Sequence, residues 1–573
     1  MGSISRHYSV PAESKRALKD VILNHPGHKD LPVQCHKYLD LVKFSGHDEP
    51  RMAINWRLAE SISSLKGLEA ILINHLLVEK YGIAPQEVHI NTDHAQLFLM
   101  SAIICEVSPE DENGPIQPTE LRELNKAHSK YFPSWDLHDQ VSSNYRKSVT
   151  NIYKAHDGRC FHLHASLNPD PSLRAIGLPR DVPDLNTVES SWGPFFEKIA
   201  EKDATEWDQE LNEVAKQAAT VCWTAEEYAN TAQGKATEHI GLYQIHPYPD
   251  PSLRSGWWKH VESTSVKRPL AGLKIVDFTR IVAGPSIGRS LAELGASVMR
   301  VTGPHIADFS GLHPDLNWGK WNCHLDLREP KDKLKLRELL WEADVVVNGY
   351  RPYVLNKHGV GHEDIFNVGK ERGRGFIYVR ENCYGWAGPW SHRSGWQPIS
   401  DACSGVSMGF GRAMGNDEAV TPVLPNSDYC TGVAGSCAVL QALVLQAKDG
   451  GSYLVDTALN YYNRWLAERI GEYPRDVWEE VWSRNGREVF RNHHNMNFTL
   501  PHYMKMFQRE GLFDLNFFEV RTSGALGGLK LRVPKPVLQF PPETVALGYN
   551  VGTRGNGVDQ PRWPEDLNTE VVK

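Results

Sequence analysis

The stretch KIVDFTRIVAGP, Lys274 to Pro285, decides the fold. Its first half is a buried-strand run, and its second half is a turn that brings Pro285 to the first position of a helix, where the missing N–H is not needed. A helix over 286–295 follows, then ASVMRVT (Ala296 to Thr302), a helical segment from Lys331 to Glu342, DVVVNGY (Asp344 to Tyr350) and FIYVR (Phe376 to Arg380). Strands alternating with helices in this way call for a parallel sheet covered by helices, so the expected class is α/β.

Working outward, the chain has 573 residues, more than one hydrophobic core usually spans, which points to two or more domains. Hydrophobic residues make up 41% and charged residues 23%, the balance of a globular protein. A net charge of -8 gives no uniform basic field and argues against a dedicated nucleic-acid partner. Nine cysteines without a C-x-x-C pair read as reduced thiols in an intracellular compartment. The N-terminal MGSISR has Arg6 where a myristoylation signal wants serine or threonine, and the final EVVK is not a peroxisomal tripeptide. No run reads as the roughly 18 apolar residues of a bilayer span. The expectation is a soluble, cytoplasmic protein with no membrane partner, the mitochondrion and peroxisome being left open.

Two regions share an order of elements. A helix near 431–447 ends at Asp449-Gly450-Gly451 and leads into the strand SYLVDTA (Ser452 to Ala458). Earlier, WRLAESISSLKGLEAILINHLLVEKYG (Trp56 to Gly82) reads as a long amphipathic helix before the strand of QEVHINTDHA (Gln86 to Ala95). This pattern suggests an internal duplication. YKAHDGRCFHLHA (Tyr153 to Ala165) reads as a hairpin, with helices near 187–203 and 206–220 after it. HPYPDPSLRSGWW (His246 to Trp258) reads as a linker, giving halves of 1–260 and 261–573, and the tail after Gly548 as irregular surface chain.

Several chemical signals are weak. GVSMG (Gly405 to Gly409) fits the G-x-S-x-G pattern, but Gln397 to Ser404 is a poor strand and GFGRAMG after it reads as a glycine-rich loop, so Ser407 lacks the setting of a nucleophile elbow. His162 with His164, and His493 with His494, have no carboxylate or cysteine at metal spacing, so a structural role is expected and no metal. The 17 tryptophans suit a core as well as a pocket. Asp428 in PNSDYCTG (Pro425 to Gly432) stands at a helix start, where exposed N–H groups and the helix dipole favour a carboxylate.

The run from Arg268 onward resembles the class III CoA-transferases (the CaiB/BaiF group), which include formyl-CoA transferase, carnitine CoA-transferase and α-methylacyl-CoA racemase. The matching pieces keep the family's order: PLAGLKIVDFTRIVAGP (Pro269 to Pro285), LGASVMRV (Leu294 to Val301), NWGKWNCHLDL (Asn317 to Leu327), ADVVVNGYRP (Ala343 to Pro352), YGWAGP (Tyr384 to Pro389), ACSG (Ala402 to Gly405) and SDYCTG (Ser427 to Gly432). EVHINTDHA (Glu87 to Ala95), YKAHDG (Tyr153 to Gly158) and TAEEYANTAQG (Thr224 to Gly234) resemble the family's back half. The resemblance implies a Rossmann-like parallel-sheet domain, internally duplicated by fusion to a diverged first half, with a smaller α+β domain. From residue 49 to 92 there is no aspartate, so the slot equivalent to Asp428 is empty, Glu60 being the nearest carboxylate, and one active site per chain is expected.

By the same resemblance Asp428 is the nucleophile, and its chemistry suits: a carboxylate attacking a thioester expels a thiolate of pKa near roughly 8.5 and leaves a mixed anhydride. The implied activity moves CoA between an acyl-CoA and a free carboxylic acid, with CoA or acyl-CoA as substrate and no permanently bound cofactor. Arg280, Lys320, Arg351 and Lys357 are the implied cations for the CoA phosphates, Tyr384 and Gly405 further contacts, and Gly405, Gly409 or Gly411 the oxyanion donors. Family members form interlocked dimers, so a homodimer is implied, part of it held within one chain by the fused half. Trp396 stands where the family's racemases have a histidine, which favours transferase over racemase, and Val282 replaces the glutamine of the formyl-CoA type. A catalytically inactive CoA-binding relative is the third reading.

Overall fold

The computed structural model describes residues 8–110 and 129–573, so MGSISR lies outside the described residues. At its centre is a seven-stranded sheet of β1 (Tyr243–Tyr248), β2 (Lys274–Phe278), β3 (Ser297–Thr302), β4 (Lys320–His324), β5 (Val345–Asn348), β6 (Ile377–Asn382) and β7 (Ser452–Ala458). The spatial order is β4-β3-β2-β5-β6-β7-β1, with every pair parallel except β7 with β1. The fold is mixed α/β, and strands such as β5, VVVN, are buried on both faces, which is why they read as unbroken apolar runs. Chain order reverses between β2 and β5, and the crevice beyond the carboxyl ends of such strands is where open α/β sheets take ligands.

β1 corrects the expected linker. His246 to Tyr248 is not loop but the end of the antiparallel edge strand, with His246 opposite Leu454. Residues on both sides of position 260 therefore build one sheet. They interleave elsewhere too: Glu106–Val107 pairs with Leu529–Pro534, which pairs in turn with Phe518–Ser523.

Three helices form the packed centre: α1 (Leu58–Tyr81), α2 (Ala283–Glu293) and α3 (Asn426–Asp449). α3 packs on both α1 and α2. Contact with α2 is close because Gly432 and Gly435 face it: a Cβ at Gly432 would lie 2.4 Å from Ser286 Cβ, and one at Gly435 2.7 Å from Ile287 Cδ1. α1 is not the amphipathic helix its sequence suggests. It is buried all round from Leu58 to Leu77, and its charges are satisfied internally, Lys66 Nζ donating to Glu69 at 2.7 Å and Ser436 Oγ to Glu69 at 3.0 Å. Glu60 is likewise structural, accepting from Tyr8 and Tyr473. α1 and α3 are long and apolar enough to cross a bilayer, but they lie buried inside the protein.

The hairpin Asn151–Lys154 and Cys160–Leu163 is extended by Ala219–Val221 into an antiparallel sheet, which packs with the helix Gly193–Ile199 around its own core. Helices Ala204–Gln209 and Glu210–Val214 occupy the second expected helical region. The tail is irregular but not a surface strand of chain: Arg554 is fully buried and donates to Asp559 at 3.0 Å and Glu570 at 3.2 Å. All nine cysteines are free and buried.

Candidate functional site

A cavity of about 470 Å³ opens at the switch between β2 and β5. The chain leaving β2 supplies Arg280, Ile281 and Val282, the chain leaving β5 supplies Gly349, Tyr350 and Arg351, and the end of β6 supplies Glu381 and Asn382. Ile281 has φ +71°, a left-handed conformation that a β-branched residue adopts only at a cost of order 1–3 kcal/mol, and it forms the corner where the wall turns. α2 begins at Ala283 and α3 at Asn426, so two helix N-termini, each favouring an anion, open at this place.

Asp428 is in the first turn of α3, three residues earlier than the start expected near Thr431, and it lines the cavity. Among the described residues it has neither a hydrogen-bond partner nor an ion pair, and burial pushes its carboxyl up to about 7. Glu381 is the second carboxylate on the same wall, also without a partner among the described residues. Burial, and after it the charge of Asp428, raises it to about 8. Sequence reasoning missed it, although a carboxylate one residue beyond the FIYVR strand, at the carboxyl end of a parallel strand, is a legible signal. A third carboxyl, Asp401, lies fully buried behind the wall and accepts from Asn463 at 2.7 Å; burial foremost, with Asp428's charge adding, pushes it well up.

Of the expected cations, Arg280 and Arg351 line the cavity. Arg280 donates to Ala307 O at 2.6 Å with its guanidinium 4.9 Å from the Tyr350 ring centre, and Arg351 donates to Lys216 O at 3.2 Å. Lys320 is not available to a phosphate. It is completely buried beneath α2, donating to Asp277 at 2.9 Å and to Pro285 O at 2.7 Å. Lys357 is exposed and does not line the cavity.

Tyr384 is core rather than wall, fully buried and packed on Trp390. Gly405 and its neighbours serve packing. Gly405 has φ +92° and a Cβ there would meet Ala225 N at 2.2 Å, Gly409 abuts Trp56, and Gly411 abuts the carbonyl of Glu418. The expected glycine-rich loop is in fact the helix Val406–Ala413, preceded by the helix Gln397–Cys403 rather than a strand, and Ser407 is buried. No group of three or more possible metal ligands occurs among the described residues.

A second cavity of about 290 Å³ meets the first at Asp428, and the two share Ser166, Leu167, Ile281, Val282 and Trp396. Ser166 and Leu167 come from the first half of the chain, as do His138 and Gln217 in the first cavity and Ile103 and Val141 in the second. Trp396 joins the halves: its ring stacks on His164 at 5.4 Å and its Nε1 donates to Ser166 Oγ at 3.1 Å. Burial keeps His162 and His164 neutral.

Comparison with known proteins bears on the family. A profile of CoA-transferase family III matches residues 270–498. The chain is 47% identical over 570 residues to acetyl-coenzyme A transferase nodX of Hypoxylon pulicicidum, covering 99% of this chain and 95% of that one. It is 29% identical over 555 residues to an acyl-CoA transferase of Gibberella moniliformis, covering 94% and 93%. A crystal structure of a CaiB/BaiF family protein from Brucella suis matches 39% of this chain and 59% of its own, at 24% identity and a TM-score of 0.31.

Proposed function

This chain belongs to CoA-transferase family III and is a transferase, and from that premise we propose that it moves CoA from an acyl-CoA thioester to a free carboxylic acid through an anhydride on Asp428. The observation that carries the reading is an unpaired aspartate at the junction of two cavities, one edged by Arg280 and Arg351 and the other apolar.

The steps balance without any other reagent. An Asp428 oxygen attacks the thioester carbonyl, the C–S bond breaks, and CoA leaves as thiolate, giving an acyl-aspartyl anhydride. The thiolate returns to the aspartyl carbonyl and releases the first acid. The second acid then attacks the aspartyl thioester, forming a new anhydride that the thiolate opens on its acyl side. Asp428 emerges unchanged. Two helix N-termini favour the oxyanions along this path, and Glu381, protonated below about pH 8, adds no opposing charge. Water must be kept from the anhydride while it lasts, since it would hydrolyse it.

In this reading the first half lacks a nucleophile of its own and contributes walls to the single site, consistent with a diverged internal copy whose α1 pairs with α3. The CoA phosphates lie toward Arg280 and Arg351.

One observation favours a second reading, acyl-CoA racemase. Trp396 cannot act as a second base, but Glu381 could return an α-proton that Asp428 removes. The separating experiment incubates the protein with acetyl-CoA and labelled acetate, and separately with a branched acyl-CoA in deuterium oxide. Label entering acetyl-CoA without α-deuteration supports the transferase; deuteration without label exchange supports the racemase.

A further inference from the structure

We propose that the second chamber holds the body of the carboxylic acid substrate, and that this acid is a largely apolar monocarboxylate carrying a hydrogen-bonding group, not a small dicarboxylate. This rests on the CoA-transferase reading and deepens it by naming the acid's class.

The chamber starts at Asp428 and runs away from Arg280 and Arg351, neither of which lines it. Its wall is apolar, with Ile103, Val141, Phe309, Leu312 and Leu500 beyond the residues shared with the first cavity. Charged groups on the wall are already committed. Arg146 donates to the carbonyls of His138, Asp139 and Arg180 and to Asp170, and Lys147 has a partner of its own. His164 is neutral and its Nδ1 accepts from Ser166 N at 2.8 Å, while Tyr429 O–H donates to Asp315. Among the described residues a second carboxylate placed here would find no uncommitted cation and would lose its hydration without replacement.

Volume points the same way. A buried apolar cavity of about 150 Å³ takes benzene, so about 290 Å³ suits on the order of a dozen non-hydrogen atoms. Each methylene removed from water there is worth about a factor of four in affinity.

One polar feature is unexplained by the fold. Asn495, at the start of the helix Met496–Arg509, is 7% exposed and lines the chamber, yet its Oδ1 and Nδ2 both lack partners among the described residues. A buried amide with donor and acceptor unmet is uncommon and fits a hydroxyl or carbonyl on the ligand.

The test uses the full chain, acetyl-CoA as donor, and decanoate, a series of hydroxydecanoates and succinate as acceptors, reading kcat/KM for acyl-CoA formation. Decanoate is expected to exceed succinate by at least about tenfold, and one hydroxydecanoate to exceed decanoate. Asn495→Leu should abolish that hydroxyl preference. Leu312→Arg, at a half-buried wall position, should shift the decanoate-to-succinate ratio toward succinate by about tenfold or more; ratios do not depend on the fraction of folded protein. Succinate equal to or better than decanoate, or a ratio unmoved by Leu312→Arg, overturns the assignment. Trapping of Asp428 as its hydroxamate after incubation with acetyl-CoA and no acceptor acid separates the layers. If trapping occurs and succinate is preferred, only the chamber's assignment is lost; if nothing is trapped, the anhydride mechanism and this inference fall together.

Discussion

Glu381 at the end of β6 and Asp428 in the first turn of α3 line one cavity with carboxyls that are unpaired among the described residues, and the charge of Asp428 adds to burial in raising Glu381. The two carboxyls interact and titrate as a coupled pair, with values of about 7 for Asp428 and about 8 for Glu381.

That order gives the rate profile. Attack needs Asp428 ionised, so kcat/KM for acetyl-CoA should rise through pH 7. Ionising Glu381 places a second negative charge beside the developing oxyanion, so the rate should fall again through pH 8. Glu381→Gln should remove the upper limb and leave the lower one. A pH profile of the variant that keeps both limbs would assign the upper one elsewhere.

Stability should move with the same groups. A carboxyl whose pKa is raised on folding binds more protons folded than unfolded between its ordinary value near 4 and the raised value near 7, so stability falls as pH climbs through that window. Asp428→Asn removes this cost and should stabilise the protein by roughly 1–3 kcal/mol at pH 8 and by little near pH 4, measured by urea unfolding.

Lys320 and Asp277 provide a contrast between a structural and a ligand-binding cation. Both are fully buried, so Lys320→Met leaves Asp277 charged and unpaired and should lower stability by about 3–5 kcal/mol. KM for acetyl-CoA in the protein that remains folded should stay near the wild-type value. Denaturant unfolding alongside kinetics checks both halves.

Arg280→Gln and Arg351→Gln should do the reverse, each raising KM for acetyl-CoA by about tenfold with unfolding midpoints little changed, since a charge-assisted hydrogen bond is worth about 1.5–3 kcal/mol. The wild-type KM should rise with salt, and the double variant should be less sensitive to it.

Strands β2, β3, β5, β6 and β7 and the place of Asp428 at a helix start were legible because each is local, an apolar run at strand spacing or a carboxylate in a helix's first turn, whereas β4, KWNCH, carries too mixed a pattern to read as a strand. What escaped depends on contacts distant in sequence. Ser166, 230 residues before Trp396, carries no mark that it meets it. Lys320 read as a strand-end cation because its phrase does not show Asp277 and α2 closing over it. α1 read as amphipathic because it carries polar residues that lie inside the core, Glu69 among them paired with Lys66 and Ser436, and a sequence pattern cannot tell such a face from a wetted one. Gln397–Cys403 and Val406–Ala413 are helices despite proline and glycine because tertiary packing overrides weak propensity.

The central claim is tested most directly by incubating the protein with acetyl-CoA alone, quenching with hydroxylamine and mapping the modified peptide by mass spectrometry. The account predicts a hydroxamate on Asp428, release of one CoA per site, and neither in Asp428→Asn. A hydroxamate on another residue, or hydroxamate formation that survives in Asp428→Asn, would contradict it.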